Sequence, residues 1–241
     1  MRLFLALILF ILPFSALANG DKPVDVAIVV SFDRSESIDK EEAEAQISGL
    51  VYTLRHPRFH AVVSSGYYKR IALSALTWSS FRRHELLLPW ALIASAEQAE
   101  AAAGRLERFL SRPDRVLHRR QTDVAFGIEM ATEQLHVLPW RASKKVINMV
   151  GDGISNIGRI ASVDRDAAVA RGITVNGLIM AQGKAIRVLS GYFKRDVIGG
   201  PTAFLQVSAN NKDFARAMLR KVLLEMVRLR DQKLVEPKKH G

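Results

Sequence analysis

Hydrophobic and polar positions along this chain form blocks that predict parallel strands separated by amphipathic helices. The first block, residues 25–32, is continuously apolar and rich in β-branched residues, as expected for a central strand that is covered on both faces. Further strands are predicted at 70–78, 85–93, 144–150, 173–180 and 203–207. The connection at 79–84 is too short for a crossover helix, so the second and third strands are predicted to pair as an antiparallel hairpin.

Apolar residues recur with helical spacing in the intervals between these strands. Asp39 and Glu42 resemble a capping box at the start of the first helix, which ends at His56-Pro57 and is followed by a short polar segment. Further helices are predicted at 95–110, 122–138, 162–172 and 184–194. The last helix, from 211 to about 231, turns an apolar stripe inward, and its predicted outward positions are Arg216, Arg220, Lys221 and Arg228.

This alternation predicts an α/β fold, a Rossmann-like doubly wound sheet that is mostly parallel, with one antiparallel edge strand and helices on both faces. The 241 residues suffice for one large domain, predicted over 24–230 and followed by a polar tail at 231–241.

Residues 1–18 have the pattern of a cleaved secretory signal, with a basic start, an apolar run and a small-x-small end. We therefore expect a periplasmic or secreted protein without a transmembrane segment in the mature chain.

Composition narrows the choice of partners and sites. The net charge is +11, and in an exported protein such a charge favours acidic proteins, lipid headgroups or cell-envelope polymers over nucleic acid. The sequence has no cysteine, which excludes disulfides and thiolate metal sites. The histidines do not show zinc-binding spacing.

Oxygen-bearing side chains lie in three loops that are predicted to meet at one edge of the sheet. Asp33, Ser35 and Ser37 follow the first strand, Thr122 precedes a middle helix, and Asp152 directly follows a later strand. Ligands of open α/β sheets bind at the carboxyl ends of the strands, and carboxylate and hydroxyl oxygens suit a hard divalent cation. Taken singly, Ser37 and Thr122 are better explained as helix N-caps, and Asp152 is also explained as a turn residue.

The pattern Asp-x-Ser-x-Ser, with a distant threonine and then an aspartate at a strand end, resembles the metal-ion-dependent adhesion site (MIDAS) of von Willebrand factor A (vWA) domains. Asp-Gly-x-x-Asn-x-Gly at 152–158, together with residues 168–177 and 197–204, is similar to an uncharacterised family of secreted, mostly proteobacterial proteins with this fold. The resemblance covers roughly 24–230. Its fixed spacing in several loops is more specific than one short motif.

The resemblance implies a Rossmann-like domain that binds Mg²⁺ or Mn²⁺. Ser35, Ser37 and Thr122 would bind the cation, and Asp33 and Asp152 would coordinate it directly or through water. One coordination position would remain for an acidic residue of a partner, which is an unidentified protein or envelope component.

The loop after the first strand departs from the usual vWA pattern at Arg34 and Glu36, where small residues are common. Glu36 would supply an additional carboxylate or fill the open position, whereas Arg34 would repel the cation. A partner-binding rim around the site is predicted to consist of Arg34, Glu36, Arg119, Arg120, Asn156 and Arg159. Its positive charge would steer acidic partners, although a generic solvated basic surface explains the same arginines.

Two other functions remain open on sequence alone. A metal-dependent phosphatase or phosphotransferase would use Asp33 as its nucleophile, but position 35 is a serine instead of a second aspartate. A metal-free interaction domain would use the same loops only to cap helices. Motifs of zinc proteases, α/β-hydrolases and phosphate-binding loops are missing from the sequence. The predicted function is a non-catalytic module that engages a macromolecule through its cation.

Overall fold

The computed structural model describes residues 22–35, 40–80, 82–112 and 121–235. Its strands are β1 (Ala27–Asp33), β2 (Ile71–Trp78), β3 (His84–Ile93), β4 (Lys145–Gly151), β5 (Ile173–Met180) and β6 (Leu205–Ser208). Its helices are α1 (Lys40–Arg55), α2 (Pro57–Ser64), α3 (Ala96–Leu110), α4 (Val124–His136), α5 (Ala161–Ala170), α6 (Lys184–Tyr192) and α7 (Asn211–Val235), with a π-helical turn at Phe193–Val197 after α6.

The strands form one sheet in the order β3-β2-β1-β4-β5-β6. Every neighbouring pair is parallel except β2 and β3, which are antiparallel. The predicted fold class is therefore confirmed, including the antiparallel edge strand. After β1 the chain builds outward through β2 and β3 and then returns to the other side of β1 with β4. The carboxyl ends of β1 and β4 consequently flank a topological switch point, where such sheets bind ligands.

Side-chain alternation along β1 divides the core into two layers. Ile28, Val30 and Phe32 pack in the layer that contains residues of α1, α2, α3 and α7. Ala27 and Val29 pack in the other layer, with α4, α5 and α6. Ser31 lies on the same face as Ala27 and Val29, and its hydroxyl donates a hydrogen bond to the carbonyl of Gly127 in α4, at 3.1 Å. The same period places Asp33 on the α4 side of the sheet.

Local structure differs from the sequence prediction in three segments. Helix α2 replaces the expected polar segment because Pro57 occupies a first-turn position and the His56 ring accepts a hydrogen bond from the Arg58 amide. Helix α5 begins at Ala161, so Ser162 lies inside the helix instead of capping it. Helix α7 continues to Val235. The predicted signal at 1–18 and residues 236–241 lie outside the described part of the chain.

Lys221 of α7, predicted to face solvent, is fully buried. Its ammonium group donates to Asn148 Oδ1 and to Glu225 Oε1, the latter at 2.6 Å. Asn148 and Asn176 each donate to the Glu225 carboxylate at 2.9 Å. Burial lowers the pKa of Lys221, and the Glu225 carboxylate opposes that shift. The prediction was wrong because β4 and β5 present asparagines to α7, which provides hydrogen bonds for charged groups beneath the helix.

The structure describes the side chains of two of the other three residues of α7 that were predicted to face outward. Arg216 and Arg220 are exposed, as expected, whereas the side chain of Arg228 lies outside the described residues. None of the helices within the described ranges combines the length and the apolar character needed to cross a membrane.

Replacing Gly127 with alanine is expected to destabilise the protein by about 1–3 kcal/mol because it overpacks the core. A Cβ at this position would lie 2.4 Å from Cε2 of the buried Trp78 ring, so α4 would have to move away from β1 and β2. Gly104 of α3 provides the matched control, since its nearest neighbouring atom would be Arg108 Nη1 at 3.6 Å. There the same substitution should stabilise by up to about 1 kcal/mol through helix propensity. Urea unfolding of both variants measures the difference, and equal shifts would contradict close packing of α4.

Candidate functional site

Asp33, the last residue of β1, has a buried side chain with 1% of its surface exposed. Its Oδ1 atom accepts a hydrogen bond from the Ser35 amide at 2.8 Å, which turns the chain sharply after the strand. The Arg34 amide donates to the carbonyl of Trp78 at 2.8 Å, so pairing with β2 extends to this point. Asp33 is therefore held rigidly at the carboxyl edge of the sheet.

The carboxyl end of β4 lies directly against Asp33. A Cβ at Gly151 would lie 3.2 Å from Asp33 Cβ and 3.3 Å from Asp33 Oδ2, so this position favours glycine. The next residue, Asp152, is half-buried. Burial raises the pKa of Asp33 to about 7; hydrogen bonds from Ser35 oppose that rise, and the nearby carboxylate of Asp152 adds to it. Two carboxylates thus share the switch point between β1 and β4.

Thr122, which is 5% exposed, is fixed by the loop that follows Asp152. Its amide donates to Asn156 Oδ1 at 2.9 Å, and its carbonyl accepts from the Asn156 amide at 3.0 Å. The Ser155 hydroxyl accepts from the Val124 amide at 3.0 Å and donates to the Thr122 carbonyl at 3.3 Å. Ser155 and Asn156 therefore tie the loop that follows Asp152 to Thr122, which lies thirty positions before Asp152 in sequence.

The N-cap of α4 is Asp123, whose Oδ1 accepts a hydrogen bond from the Phe126 amide at 3.1 Å. Gly158 packs over this cap with a φ of +82°, and a Cβ there would lie 2.4 Å from Asp123 Oδ1. Burial raises the pKa of Asp123, against the opposing effects of the Phe126 amide and the Arg159 charge. Since Asp123 supplies the cap, the capping explanation for Thr122 does not apply.

The predicted rim is only partly described, and two of its arginines differ from expectation. Arg34 is 4% exposed, so its side chain lies below the surface. Its backbone continues the pairing with β2. Arg159 forms ion pairs with Asp164 and, at 3.3 Å, with Glu129. Asn156 is exposed but uses its side-chain oxygen to hold Thr122. The remaining predicted residues, Glu36, Ser37, Arg119 and Arg120, lie outside the described part of the chain.

Sequence reasoning missed the residues that hold the site together. Ser155 and Asp123 bind backbone groups, and Gly151 leaves room for the Asp33 side chain; the metal-site motif includes none of these three residues. The one available signal was the Ser-Asn pair three residues after Asp152, because such residues commonly hydrogen-bond nearby backbone groups.

The donors at this edge fit a hard divalent cation. Asp33 is a buried carboxylate beside a second carboxylate. Mg²⁺ and similar cations are bound by one or two carboxylates, and neutral oxygens from hydroxyl groups and water complete their coordination. Within the described ranges no three histidine, aspartate or glutamate side chains cluster closely enough to hold a metal ion. A cation here would therefore depend on Ser35 and Thr122 in addition to the aspartates.

A pocket of about 610 Å³ adjoins Asp152 on the α1 and α7 side of the sheet. Its walls come from the ends of β4, β5 and β6 and from the first turns of both helices, and they include Glu42, Gln182 and Lys212. Of the described candidate ligands, Asp152 lines this pocket.

Comparison with family models decides the relationship of the chain to known sequences. A model described as "Protein of unknown function (DUF1194)" matches residues 23–230. The chain belongs to the DUF1194 family. No curated protein sequence matches it significantly.

Solved structures similar to the DUF1194 chain include proteins with vWA folds. Proximal thread matrix protein 1 (PTMP1) from the mussel byssus, in a form with a zinc-occupied MIDAS motif, is 16% identical, with a TM-score of 0.55 over 86% of this chain and 49% of PTMP1. The vWF domain of the type V pili tip protein Mfa5 from Porphyromonas gingivalis is 8% identical, with a TM-score of 0.55 over 90% of this chain and 98% of that domain. The pilus adhesin SpaC from Lactobacillus rhamnosus GG is 14% identical, with a TM-score of 0.59 over 85% of this chain and 31% of SpaC.

These similarities establish a vWA fold for the DUF1194 chain. The chain spans about half the length of PTMP1 (49%). At identities of 8–16%, the likeness concerns the fold and leaves the chemistry of the site to the residues themselves.

Proposed function

We propose that this DUF1194 chain is an exported vWA-like binding module that engages a macromolecular partner through a divalent cation. Asp33, Ser35, Thr122 and Asp152 are the proposed ligands, with Ser37 added from the sequence motif. The partner, a protein or an envelope component, supplies a carboxylate to the open coordination position. The module has no catalytic activity of its own.

The observation that supports this proposal best is the placement of two carboxylates at the switch point. Asp33 is almost completely buried, and the charge of Asp152 lies close enough to raise its pKa. Burying ionised carboxylates together is unfavourable unless a cation or proton compensates them. The rigid attachment of Thr122 to the Asp152 loop adds a hydroxyl at the same edge.

The choice of Mg²⁺ or Mn²⁺ follows from ligand chemistry. Oxygen ligands without histidine or cysteine suit magnesium and manganese better than metals that prefer nitrogen or sulfur. Zinc occupies the MIDAS motif in one structure of PTMP1, so zinc is a useful third cation in the test.

A non-catalytic role is supported by what surrounds Asp33. A phosphotransferase that used Asp33 as nucleophile would need a nearby general acid, and the residue two positions on is Ser35. Its amide is committed to a hydrogen bond with the Asp33 carboxylate. The vWA folds named above belong to adhesion and structural proteins, in agreement with a binding role.

Calorimetric titration with Mg²⁺, Mn²⁺ and Zn²⁺ tests the site directly. The purified protein should bind one cation, and 100-fold excess over Kd should raise the free energy of unfolding by about 2.7 kcal/mol. Asp152→Asn and Thr122→Val are each expected to weaken binding at least tenfold, because each removes one ligand oxygen while leaving the backbone clamp of Thr122 in place.

Matched controls separate ligand loss from general damage. Asp166→Asn changes an exposed carboxylate that pairs with Arg165, and Thr132→Val removes a hydroxyl that bonds only to the Ile128 carbonyl. Both controls should bind the cation as the wild type does. Saturable binding that survives in the Asp152→Asn and Thr122→Val variants would refute the proposed ligand set.

A further inference from the structure

We infer that Lys221 and Asn148 are the precursors of an intramolecular amide cross-link, in which the lysine amine displaces ammonia from the asparagine side chain and the Glu225 carboxyl group transfers the protons. The bond joins α7 covalently to β4. This inference goes beyond the proposed function and does not depend on it, because none of the three residues is a proposed cation ligand.

The lysine nitrogen and the asparagine carboxamide are in direct contact. Lys221 Nζ lies 2.5 Å from Asn148 Oδ1. Because a carbonyl oxygen is bonded to its carbon at about 1.23 Å, Asn148 Cγ lies no more than about 3.7 Å from Nζ. Reacting atoms in a productive arrangement are about 3–3.5 Å apart. The χ2 torsion of asparagine is broad, so the amide plane can turn to present Cγ to the amine.

Glu225 bridges the two reacting side chains with its two carboxylate oxygens. Oε1 accepts a hydrogen bond from Lys221 Nζ at 2.6 Å, and Oε2 accepts one from Asn148 Nδ2 at 2.9 Å. The Asn176 side chain donates to Oε1 at 2.9 Å, and its own Oδ1 accepts from the Phe204 amide at 3.0 Å. Asn176 thus positions the carboxyl group, which can act as a base towards Nζ and as an acid towards Nδ2.

The surroundings of these side chains favour the uncharged forms of the lysine and the glutamate. Lys221 and Asn148 are fully buried, and Glu225 is 1% exposed. The Phe204 ring lies 5.1 Å from Nζ. Burial lowers the pKa of Lys221, and the Glu225 charge opposes that shift. Transfer of one proton from Lys221 to Glu225 removes both buried charges and leaves a neutral amine, which is the nucleophilic form of lysine.

The reaction exchanges one amide bond for another. The lone pair of Lys221 Nζ forms a bond to Asn148 Cγ, and the bond between Cγ and Nδ2 breaks. Starting from the ammonium form, Nζ gives up two protons. One passes through Glu225 to Nδ2, which leaves as ammonia, and the other remains on Glu225 as a neutral carboxyl group. The step is neither an oxidation nor a reduction, and it needs no reactant besides these side chains.

The cross-link closes a long covalent loop. Asn148 and Lys221 are 73 positions apart, so the loop contains β5, β6 and the helices between them. Closing such a loop restricts the unfolded chain, and the cross-linked chain should therefore stay more compact in denaturant. A purely structural ion pair makes the same hydrogen bonds but leaves the mass of the chain unchanged.

Intact-mass spectrometry of the purified full chain tests the inference. Protein kept folded should be lighter, by one ammonia molecule, than its sequence requires, and the lighter fraction should grow with time. Tandem mass spectrometry of a tryptic digest should identify a branched peptide that joins Asn148 to Lys221, with no cleavage after Lys221. On a denaturing gel, the lighter form should migrate faster because its loop is closed.

Three variants assign the roles of the residues. Lys221→Met removes the nucleophile and Glu225→Gln removes the proton carrier, so both should retain the full mass of their own sequences. Lys194→Met changes an exposed lysine and should lose ammonia as the wild type does. Circular dichroism shows whether each variant folds. A variant that does not fold leaves the test decisive, because the wild type alone reveals whether the bond forms.

Full mass of the wild type after prolonged incubation would overturn the inference and leave Lys221 and Glu225 as a structural ion pair. A loss of ammonia without the branched peptide would also overturn it, since asparagine cyclisation elsewhere has the same mass change. A loss that persists in Glu225→Gln would refute the role of Glu225, and a branched peptide from Asn176 would refute the choice of Asn148. A wild-type chain of full mass still contains the ion pair, and unfolding comparisons with Lys221→Met require that form.

Discussion

Replacing Lys221 with methionine is expected to destabilise the protein by about 3–5 kcal/mol, because it leaves the Glu225 carboxylate buried without its cation. Both side chains are essentially inaccessible to solvent. Asn148 and Asn176 can still donate to Glu225, but two neutral donors compensate a buried negative charge less well than an ammonium group. Urea unfolding near neutral pH measures the effect.

Arg220 and Glu225 provide the controls for this substitution. Arg220 is the exposed neighbour of Lys221, and Arg220→Met should change the free energy of unfolding by no more than about 0.5 kcal/mol. The double variant Lys221→Met, Glu225→Gln should recover part of the loss, since the uncompensated charge is gone, and the coupling should fall within about 0.5–3 kcal/mol. Equal effects of Lys221→Met and Arg220→Met would show that the buried pair does not anchor α7.

Replacing Asp33 with asparagine is expected to stabilise the cation-free protein, and increasingly so as the pH rises. The ordinary pKa of an aspartate is 3.8, and burial raises that of Asp33 to about 7. Between these values the folded protein retains a proton that the unfolded chain has lost. The wild type therefore loses stability as the pH rises towards 7, by roughly 4 kcal/mol in total. Asparagine does not titrate, so the Asp33→Asn variant avoids this loss.

Unfolding measured in EDTA at pH 5, 6, 7 and 8 tests this prediction. The stability advantage of Asp33→Asn over the wild type should grow by about 3 kcal/mol from pH 5 to pH 8 and level off above pH 7. Titrating groups that do not interact with Asp33 contribute equally to both proteins and cancel in the difference. Asp166→Asn, which alters a side chain that is 70% exposed, should show a difference that does not depend on pH. A stability difference between Asp33→Asn and the wild type that did not change with pH would mean that ionisation of Asp33 hardly destabilises the folded protein.

The two predictions concern buried charges with opposite consequences. Glu225 and Asn148 compensate the charge of Lys221 within the fold. Removing that charge destabilises the protein, because the Glu225 carboxylate then lacks its cation. The charge of Asp33 is not compensated by a cationic side chain within the described residues. Removing that charge should therefore stabilise the protein. A buried carboxylate that lowers the stability of the protein is in keeping with the proposed role of Asp33 as a cation ligand, since stability and function commonly conflict at binding sites.

Strand and helix periodicity predicted most of the fold because both depend on local spacing. The buried runs of β1, β4 and β5 and the helical stripes of α1 and α3 specify a doubly wound sheet with few alternatives. Helix α2 was missed since its buried residues, Phe59 and Val63, are too few for a clear period. The burial of Lys221 was missed because a helix pattern reports which residues are polar but not which partners lie opposite them.

The sequence by itself predicted a mostly parallel sheet, its antiparallel edge and the loops in which Asp33, Ser35, Thr122 and Asp152 lie, since the positions of strands and loops follow from the pattern of apolar blocks, whereas the order of the strands came from the structure. The tertiary structure alone decided how these residues relate to one another. Gly151 packs against Asp33, Asn156 holds Thr122, and Arg34 is buried, all through contacts between segments far apart in the chain. Such contacts depend on three-dimensional packing and backbone hydrogen bonds, which leave no periodic signal in one sequence.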